Sequence, residues 1–367
     1  MSCLDKCAFL IPYTQIEAGA QTQLCNYLKE PFCLRAAVMP DIHTGYALPV
    51  GAVVLLEGVI SPAAVGVDIG CGMCCIRTDV PIKHIKGKEE KLFKQIYSTI
   101  PVGFGSHAKK RDYPDFKSAI LDKKLDAAIN LKLKEQLGTL GGGNHFIEIG
   151  ETREGNIGIT IHSGSRNAGK QICDHYCALA KKIHTELKGD FLFFDRDEGK
   201  AYFQDMNFML SYALENRLNM MVDILDILGL DQNLLKEIIN ENHNHAEDLD
   251  GKILHRKGAT PAAKDQLGVI PGNMRDGVYI TKGLGNDKYL SSASHGAGRK
   301  GSRTWAKQKD TVETFAKLMN GIVAKVDKHT LDEAPWAYKK IEDVIKAQEG
   351  IVVDIIDHIR PIINIKG

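Results

Sequence analysis

Two strand-like, glycine-punctuated stretches flank a long helical block at about residues 167–247, and this order limits the fold more than any other feature of the sequence. In the first stretch Val53, Val54, Leu55 and Leu56 make a short apolar run, and Cys74 to Val80 makes another. Residues 87–99 and 116–136 carry apolar residues at spacings of three and four and read as helices. Phe146–Ile149 and 157–162 read as strands. Inside the block, Ile172, Tyr176, Leu179 and Ile183 share one helical face, Met209–Ile227 is strongly apolar, and Asn233–Asn242 continues as helix. After residue 251 the strand-and-turn texture returns. Pro335 opens a last predicted helix, 335–347, and Ile351–Ile365 reads as closing strands. No repeat, low-complexity segment or Pro/Gly/Ser-rich linker divides the chain. The expectation is an α+β fold, a single mixed-sheet domain over residues 1–367 with a helical insertion.

Charge and cysteine usage narrow the function classes. Formal net charge is +1, so any nucleic-acid contact has to come from a local patch. Arg299, Lys300, Arg303, Lys307 and Lys309 form one such patch; His107, Lys109, Lys110 and Arg111 form another, which reads as a solvated face. The nine cysteines are odd in number and widely spread, which points to a reducing compartment and away from a disulfide scaffold. No signal-peptide pattern and no apolar run of transmembrane length is present, so the reading is cytoplasmic with no membrane partner.

The residues able to do chemistry sit at glycine-dense turns. They are Pro40-Asp41-Ile42-His43, Asp68-Ile69-Gly70-Cys71, Gly143-Asn144-His145, His162-Ser163-Gly164-Ser165-Arg166 and His295-Gly296-Ala297-Gly298-Arg299, with His243-Asn244-His245 at the end of the helical block. Asp68 and Cys71, three residues apart on a turn, can reach one ion. His145 and His162 end strand-like stretches, and His243 can close the cluster from the helical side. Singly, each histidine reads as a satisfied core or loop residue; jointly they read as a divalent-metal site. The ligand types alone favour zinc. A bridging Cys71 would let two metals clamp a phosphoryl group, and one or two metals remain open at this level. His295, flanked by glycines with Arg299 and Arg303 following, fits a phosphate-handling nucleophile; a basic surface loop is the plainer alternative.

Three partial motifs are discounted. Gly164 to Lys170 has P-loop spacing but is followed by Gln171, not the Ser or Thr that binds magnesium. Gly296 to Gly301 fits a dinucleotide glycine pattern but has no βαβ unit after it. Cys71, Cys74 and Cys75 lack a second cysteine pair, and Cys74 and Cys75 read as core-strand residues.

Taken in order, these segments resemble the RtcB family of RNA ligases, from Met39-Pro40-Asp41-Ile42-His43 to Ile365-Lys366-Gly367. Gly138-Thr139-Leu140-Gly141-Gly142-Gly143-Asn144-His145-Phe146, His162–Arg166, His255-Arg256-Lys257-Gly258-Ala259-Thr260, Pro271-Gly272, His295–Arg299 and Asp332-Glu333-Ala334-Pro335 carry the resemblance. It implies a two-manganese site on Asp68, Cys71, His145, His162 and His243, with Cys71 bridging. It implies guanylylation of His295 by GTP. Asn144, Glu148, Asn273, Tyr338, Lys366 and the Gly296-Ala297-Gly298 turn would cradle the guanylate. Arg166 and Arg299 would contact phosphate or RNA, and Asp41 would lie near the reacting RNA end. The implied partners are RNA with 3′-phosphate and 5′-hydroxyl ends, GTP and an accessory repair or activating protein.

The chain departs from the family pattern at Gly70, Asn273, Val278 and Ser292-Ala293-Ser294. With its length, these departures resemble a short, divergent bacterial paralogue branch linked to RNA repair, distinct from tRNA splicing. They also motivate an alternative, a metal-dependent phosphoesterase or cyclic phosphodiesterase without ligation. A third reading is a non-catalytic RNA-binding protein that tolerates loss of Cys71.

Overall fold

Near-continuous Val, Ala, Ile and Leu runs become strands buried on both faces. The computed structural model describes residues 3–183, 187 and 191–367. One sheet has five strands in the order Cys7–Phe9, Cys33–His43, Val50–Glu57, Lys252–Lys257 and Asn244–Leu249. Its first pair is parallel and the others are antiparallel. A second, eight-stranded sheet runs Leu267–Pro271, Val278–Gly283, Val353–Lys366, Phe146–Glu151, Asn156–Ser163, Gly72–Pro81 and Ile239–Asn242, all antiparallel, with Val323–Ala324 alongside Val353–Lys366. Helices and mostly antiparallel sheets make the fold α+β. Among the described residues no helix is long and apolar enough to cross a membrane.

The 32-residue helix Asp197–Leu228 links the two parts of the core. Its Met206, Met209 and Tyr212 pack with Ile172 and Tyr176 of the helix Arg166–Ile183. Its Met220, Ile224 and Leu225 pack on Ile147, Ile159 and Ile161 of the eight-stranded sheet. Between these apolar halves lie two polar residues with no exposed surface, Asn216 and Arg217. The Arg217 guanidinium donates to Gly70 O at 2.9 Å, Ser163 O at 2.8 Å, Asn240 Oδ1 at 2.7 Å and Asn242 Oδ1 at 2.8 Å. Asn216 accepts from the Gly138 and Thr139 backbone N–H groups and donates to Ser163 Oγ and Gly164 O. The helix thereby fixes the turn bearing Asp68 and Cys71, the loop before His145, the end of the strand bearing His162, and the strand leading to His243.

Several expectations need correcting. The helical block does not reach 247: Ile239–Asn242 and Asn244–Leu249 are strands, and His243 sits at the break between them. Alternating contacts to two sheets override helical spacing there. Positions 184–186 and 188–190 of that block lie outside the described residues. The helix expected over 116–136 starts at Lys123, where Asp122 caps it by accepting from Lys124 N and Leu125 N, both at 2.8 Å. The segment 335–347 splits into a 3₁₀ turn, Pro335–Ala337, and a short helix, Ile341–Lys346. The closing strands are one 14-residue strand, Val353–Lys366. The helix Ala18–Leu28 was missed within a stretch read as strands and loops. Cys74 and Cys75 do enter a buried strand.

Removing the Arg217 charge leaves two buried carbonyls and two amide oxygens without their donor. Arg217→Leu is expected to cost about 3 kcal/mol or more in urea unfolding. A loss under about 1 kcal/mol would contradict the role given to this residue.

Candidate active site and metal centre

Cys71 is where two sets of donor atoms meet. Cys71, His162 and His243 have donor atoms that all lie within 4.8 Å of one another, and so do Asp68, Cys71 and His145. Cys71 Sγ is 3.2 Å from His162 Nε2 and 3.5 Å from His145 Nε2. His162 Nε2 is 3.3 Å from His243 Nε2, and His145 Nε2 is 2.9 Å from Asp68 Oδ2. All five residues predicted from the sequence converge.

Local backbone explains the convergence. Gly70 takes a φ of 70°, and a Cβ there would lie 2.8 Å from Ala213 Cβ, so the turn can press against the long helix only with glycine. The Nδ1–H of His145 donates to Leu140 O at 2.9 Å, and that of His162 donates to Asn144 O at 3.1 Å. Carbonyls only accept, so each ring keeps its Nε2 lone pair aimed into the cluster. Burial and the neighbouring imidazoles hold His162 and His243 well below the usual histidine range, hence neutral. Burial and Asp68 push the Cys71 thiol up. For Asp68 burial acts upward, but the facing His145 outweighs it and holds the carboxyl below its usual range. Lone pairs crowded within about 3.3 Å repel one another unless a cation lies between them, and thiolate, imidazole and carboxylate are donors that suit one. The donor set fits two divalent ions sharing Cys71.

His295 stands beside this cluster, its ring centroid 4.9 Å from that of His243. Its Nδ1–H donates to Asp41 Oδ2 at 2.6 Å. The same oxygen accepts from the backbone N–H groups of His295 and Gly296 at 3.2 and 3.3 Å. Burial acts upward on Asp41, and His295 outweighs it, keeping the carboxylate ionised. A carboxylate only accepts, so Nδ1 presents its N–H to Asp41 and Nε2 is the ring nitrogen on the far side. Gly298 allows this contact: it takes a φ of 74°, and a Cβ there would lie 2.3 Å from Asp41 O. Asp41 has no exposed surface. It stands behind His295 and orients the ring, buried at the end of the cavity where the resemblance places the reacting RNA end.

One cavity of about 260 Å³ joins His295 to the cluster. Asp68, Cys71, His162 and His243 form part of its wall. Asn144, Glu148, Asn273, Gly296, Ala297, Gly298, Arg299, Tyr338 and Lys366 line it as expected. Asn273 contributes less than its position suggests, because its amide donates to Asp276 Oδ2 at 2.6 Å and its Oδ1 caps the turn at Arg275 and Asp276. Arg166 is not among the lining residues. With a φ of 61° its side chain turns back to donate to Thr139 Oγ1 at 3.2 Å and Gly103 O at 3.0 Å. It braces the loop before His145 and makes no phosphate-facing wall.

Glu333 was read only as part of a motif, yet it organises the basic wall. Its carboxylate accepts from Arg299 and Arg303, both at 3.0 Å, from Lys366 at 3.2 Å and from the Tyr338 hydroxyl. Burial acts upward on it, but Lys366, Arg303 and Arg299 outweigh that and keep it ionised. Arg303 also donates to Asp332 at 2.8 Å, so the three cations Arg299, Arg303 and Lys366 face two carboxylates and keep a net positive charge at the cavity. His43 and Lys257 also line the cavity and were not singled out. The Pro40–His43 motif offered a signal for His43, and the His255–Thr260 motif offered one for Lys257.

Glu148, 2% exposed, donates nothing and accepts at Oε2 from Asn364 at 3.0 Å, while its Oε1 has no partner. Burial pushes it up to about 8. This carboxyl keeps its proton in the folded chain from the usual 4.5 up to about 8, whereas the unfolded chain has lost it. Stability from this group is therefore present below pH 4.5 and lost as pH rises through that window. Relative to the parent, Glu148→Gln should gain at least about 1 kcal/mol of stability between pH 5 and pH 8. Equal pH profiles for the two chains in urea melts would contradict the buried-carboxyl assignment.

A buried pair of donor sets sharing one thiol, beside an oriented histidine and a basic wall, offers the donor types that divalent metals and phosphate groups bind. Comparison with known proteins makes this specific. The chain matches the family model described as tRNA-splicing ligase RtcB over residues 23–135 and 115–367. It is 36% identical to the RNA-splicing ligase RtcB of Escherichia coli, over 96% of this chain and 95% of that one. It is 28% identical to the RNA-splicing ligase RtcB2 of another Escherichia coli strain, over 96% and 93%. It is also 28% identical to the tRNA-splicing ligase RtcB of Aeropyrum pernix, over 90% and 87%. The chain belongs to the RtcB family.

Proposed function

We propose that this chain is a GTP-dependent RNA ligase. It would join an RNA 3′-phosphate or 2′,3′-cyclic phosphate end to a 5′-hydroxyl end, in RNA repair. The observation that carries the reading is His295: its Nδ1–H is held by buried Asp41 at 2.6 Å, and its ring adjoins donor sets that share Cys71.

In this mechanism the Nε2 lone pair of His295 attacks the α-phosphorus of GTP. An N–P bond forms and the bond to pyrophosphate breaks. Asp41 stabilises the positive imidazolium as it develops. The 3′-phosphate of the RNA then attacks the same phosphorus, and the N–P bond breaks, regenerating His295 and leaving the RNA end activated with GMP. The 5′-hydroxyl attacks the RNA phosphorus and GMP leaves. A cyclic phosphate end is first opened by water. Arg299, Arg303 and Lys366 hold phosphate oxygens, and in-line positioning of the two ends supplies much of the acceleration. Two divalent ions, manganese on the family resemblance, would be held by Asp68, Cys71, His145, His162 and His243, and would offset phosphate charge. The two adjacent N–H donors of a guanine edge, which adenine lacks, would satisfy the unpartnered Glu148 Oε1 and favour the ionised form of this carboxyl, which burial alone holds protonated.

Incubation with manganese and α-labelled GTP, followed by a denaturing gel, tests this. The parent chain should take up an acid-labile label, and His295→Ala should take up none. Asp41→Asn, which cannot hold Nδ1–H as an anion, should label at least about 100-fold more slowly. No label with manganese, zinc or magnesium would contradict the ligase reading. The commitment of Asn273 to Asp276 favours one second reading, a metal-dependent cyclic phosphodiesterase. On that reading His295→Ala would still hydrolyse 2′,3′-cyclic phosphate ends at the parent rate.

A further inference from the structure

We propose that His43 takes the proton from the RNA 5′-hydroxyl as that hydroxyl attacks the activated 3′ end, an inference that rests on the ligase reading. Of the three steps that follow GTP binding, only this sealing attack brings in a nucleophile that must lose a proton. His295 attacks through a ring lone pair, and an RNA 3′-phosphate attacks through an oxygen already ionised at neutral pH. The chemistry therefore calls for one proton acceptor in the cavity, on a group that nothing else uses.

His43 meets that description. It ends the strand Cys33–His43 and lines the cavity. Its Nδ1 lies 2.8 Å from Asp41 O. A carbonyl only accepts, so the N–H is on Nδ1 and the lone pair is on Nε2. Among the described residues none hydrogen-bonds that Nε2. Burial holds the ring down to about 4, so it is neutral at the start of the step. Lys339 pins the backbone beneath it, donating to Pro40 O at 3.2 Å and Ile42 O at 2.7 Å. The His43 ring lies 6.4 Å from that of His295, centroid to centroid, with the planes 23° apart. That is the neighbourhood the reaction needs. The GMP phosphate that leaves His295 is joined through one oxygen to the RNA phosphorus under attack.

The other lone-pair groups of the cavity are committed. Residues of the donor sets face cations, and His295 is the nucleophile. Glu148 meets the guanine edge, and the Tyr338 hydroxyl donates to Glu333. Asparagine amides do not take protons at neutral pH, and the arginines and lysines are donors. In the sealing step the 5′ O–H bond breaks and its proton goes to His43 Nε2. The O–P bond forms, the bond from the RNA phosphorus to the GMP oxygen breaks, and GMP leaves with that electron pair. The imidazolium then gives its proton to water. Phosphate charge beside the ring raises its affinity for the proton while the step proceeds.

Single-turnover ligation with manganese, GTP, a 3′-phosphate RNA and a 5′-hydroxyl RNA tests this, with His295 labelling and the GMP-capped RNA end followed together. His43→Asn keeps a donor for Asp41 O at the Nδ1 position and removes Nε2. It should label His295 and cap the RNA end, yet seal about 100-fold more slowly, so that the capped end accumulates. His43→Gln, whose amide reaches the Nε2 position but takes no proton, should show the same block. Sealing at the parent rate in either variant would overturn the assignment. So would loss of His295 labelling in both variants at the parent melting temperature, because the ring would then serve His295 and not the hydroxyl. A parent chain that never labels His295 would overturn the ligase reading, and this step with it.

Discussion

The buried Arg217 guanidinium is the interaction on which the site depends. A charge with no exposed surface is costly unless its donors are used, and here they reach Gly70, Ser163, Asn240 and Asn242. Those four acceptors belong to the segments that present Cys71, His162 and His243. Asn216, one residue earlier, ties in the loop before His145. A single helix turn therefore sets the mutual positions of donors carried at the ends of neighbouring strands of the eight-stranded sheet. The stability of the core and the spacing of the donor atoms are one problem, solved at one place.

From there the chemistry is arranged in layers. Backbone carbonyls fix the tautomers of His145 and His162. Asp41 does the same for His295 from behind. Glu333 gathers Arg299, Arg303, Lys366 and Tyr338 into one wall. In each case one group fixes the orientation of another that faces the donor cluster or the cavity, so the pocket is pre-organised before anything binds.

Much of this was legible in the sequence, and the parts that were not have physical reasons. The donors stood out because each lies within two residues of a glycine or asparagine at a turn or strand end, where side-chain chemistry is visible against a plain backbone. Strands such as Asn156–Ser163 followed from their apolar runs. Residues 233–242 misled because Leu234, Leu235, Ile238 and Ile239 space like a helix, while pairing of Ile239–Asn242 with the Gly72–Pro81 strand makes that part extended. Asn216 and Arg217 hid inside an apolar helical run, where polarity reads as solvent exposure. Arg166 looked like a phosphate ligand until its positive φ turned it toward Gly103. Asp41 and His295 are 254 residues apart, a pairing that only the fold brings about.

The central claim is that two cation sites share the Cys71 sulfur. Anomalous diffraction at the manganese edge from crystals grown with manganese measures this directly. The account predicts two peaks, one bounded by Cys71, His162 and His243 and the other by Asp68, Cys71 and His145, both lost in Cys71→Ala. A single peak, or two peaks unaffected by that substitution, would contradict it.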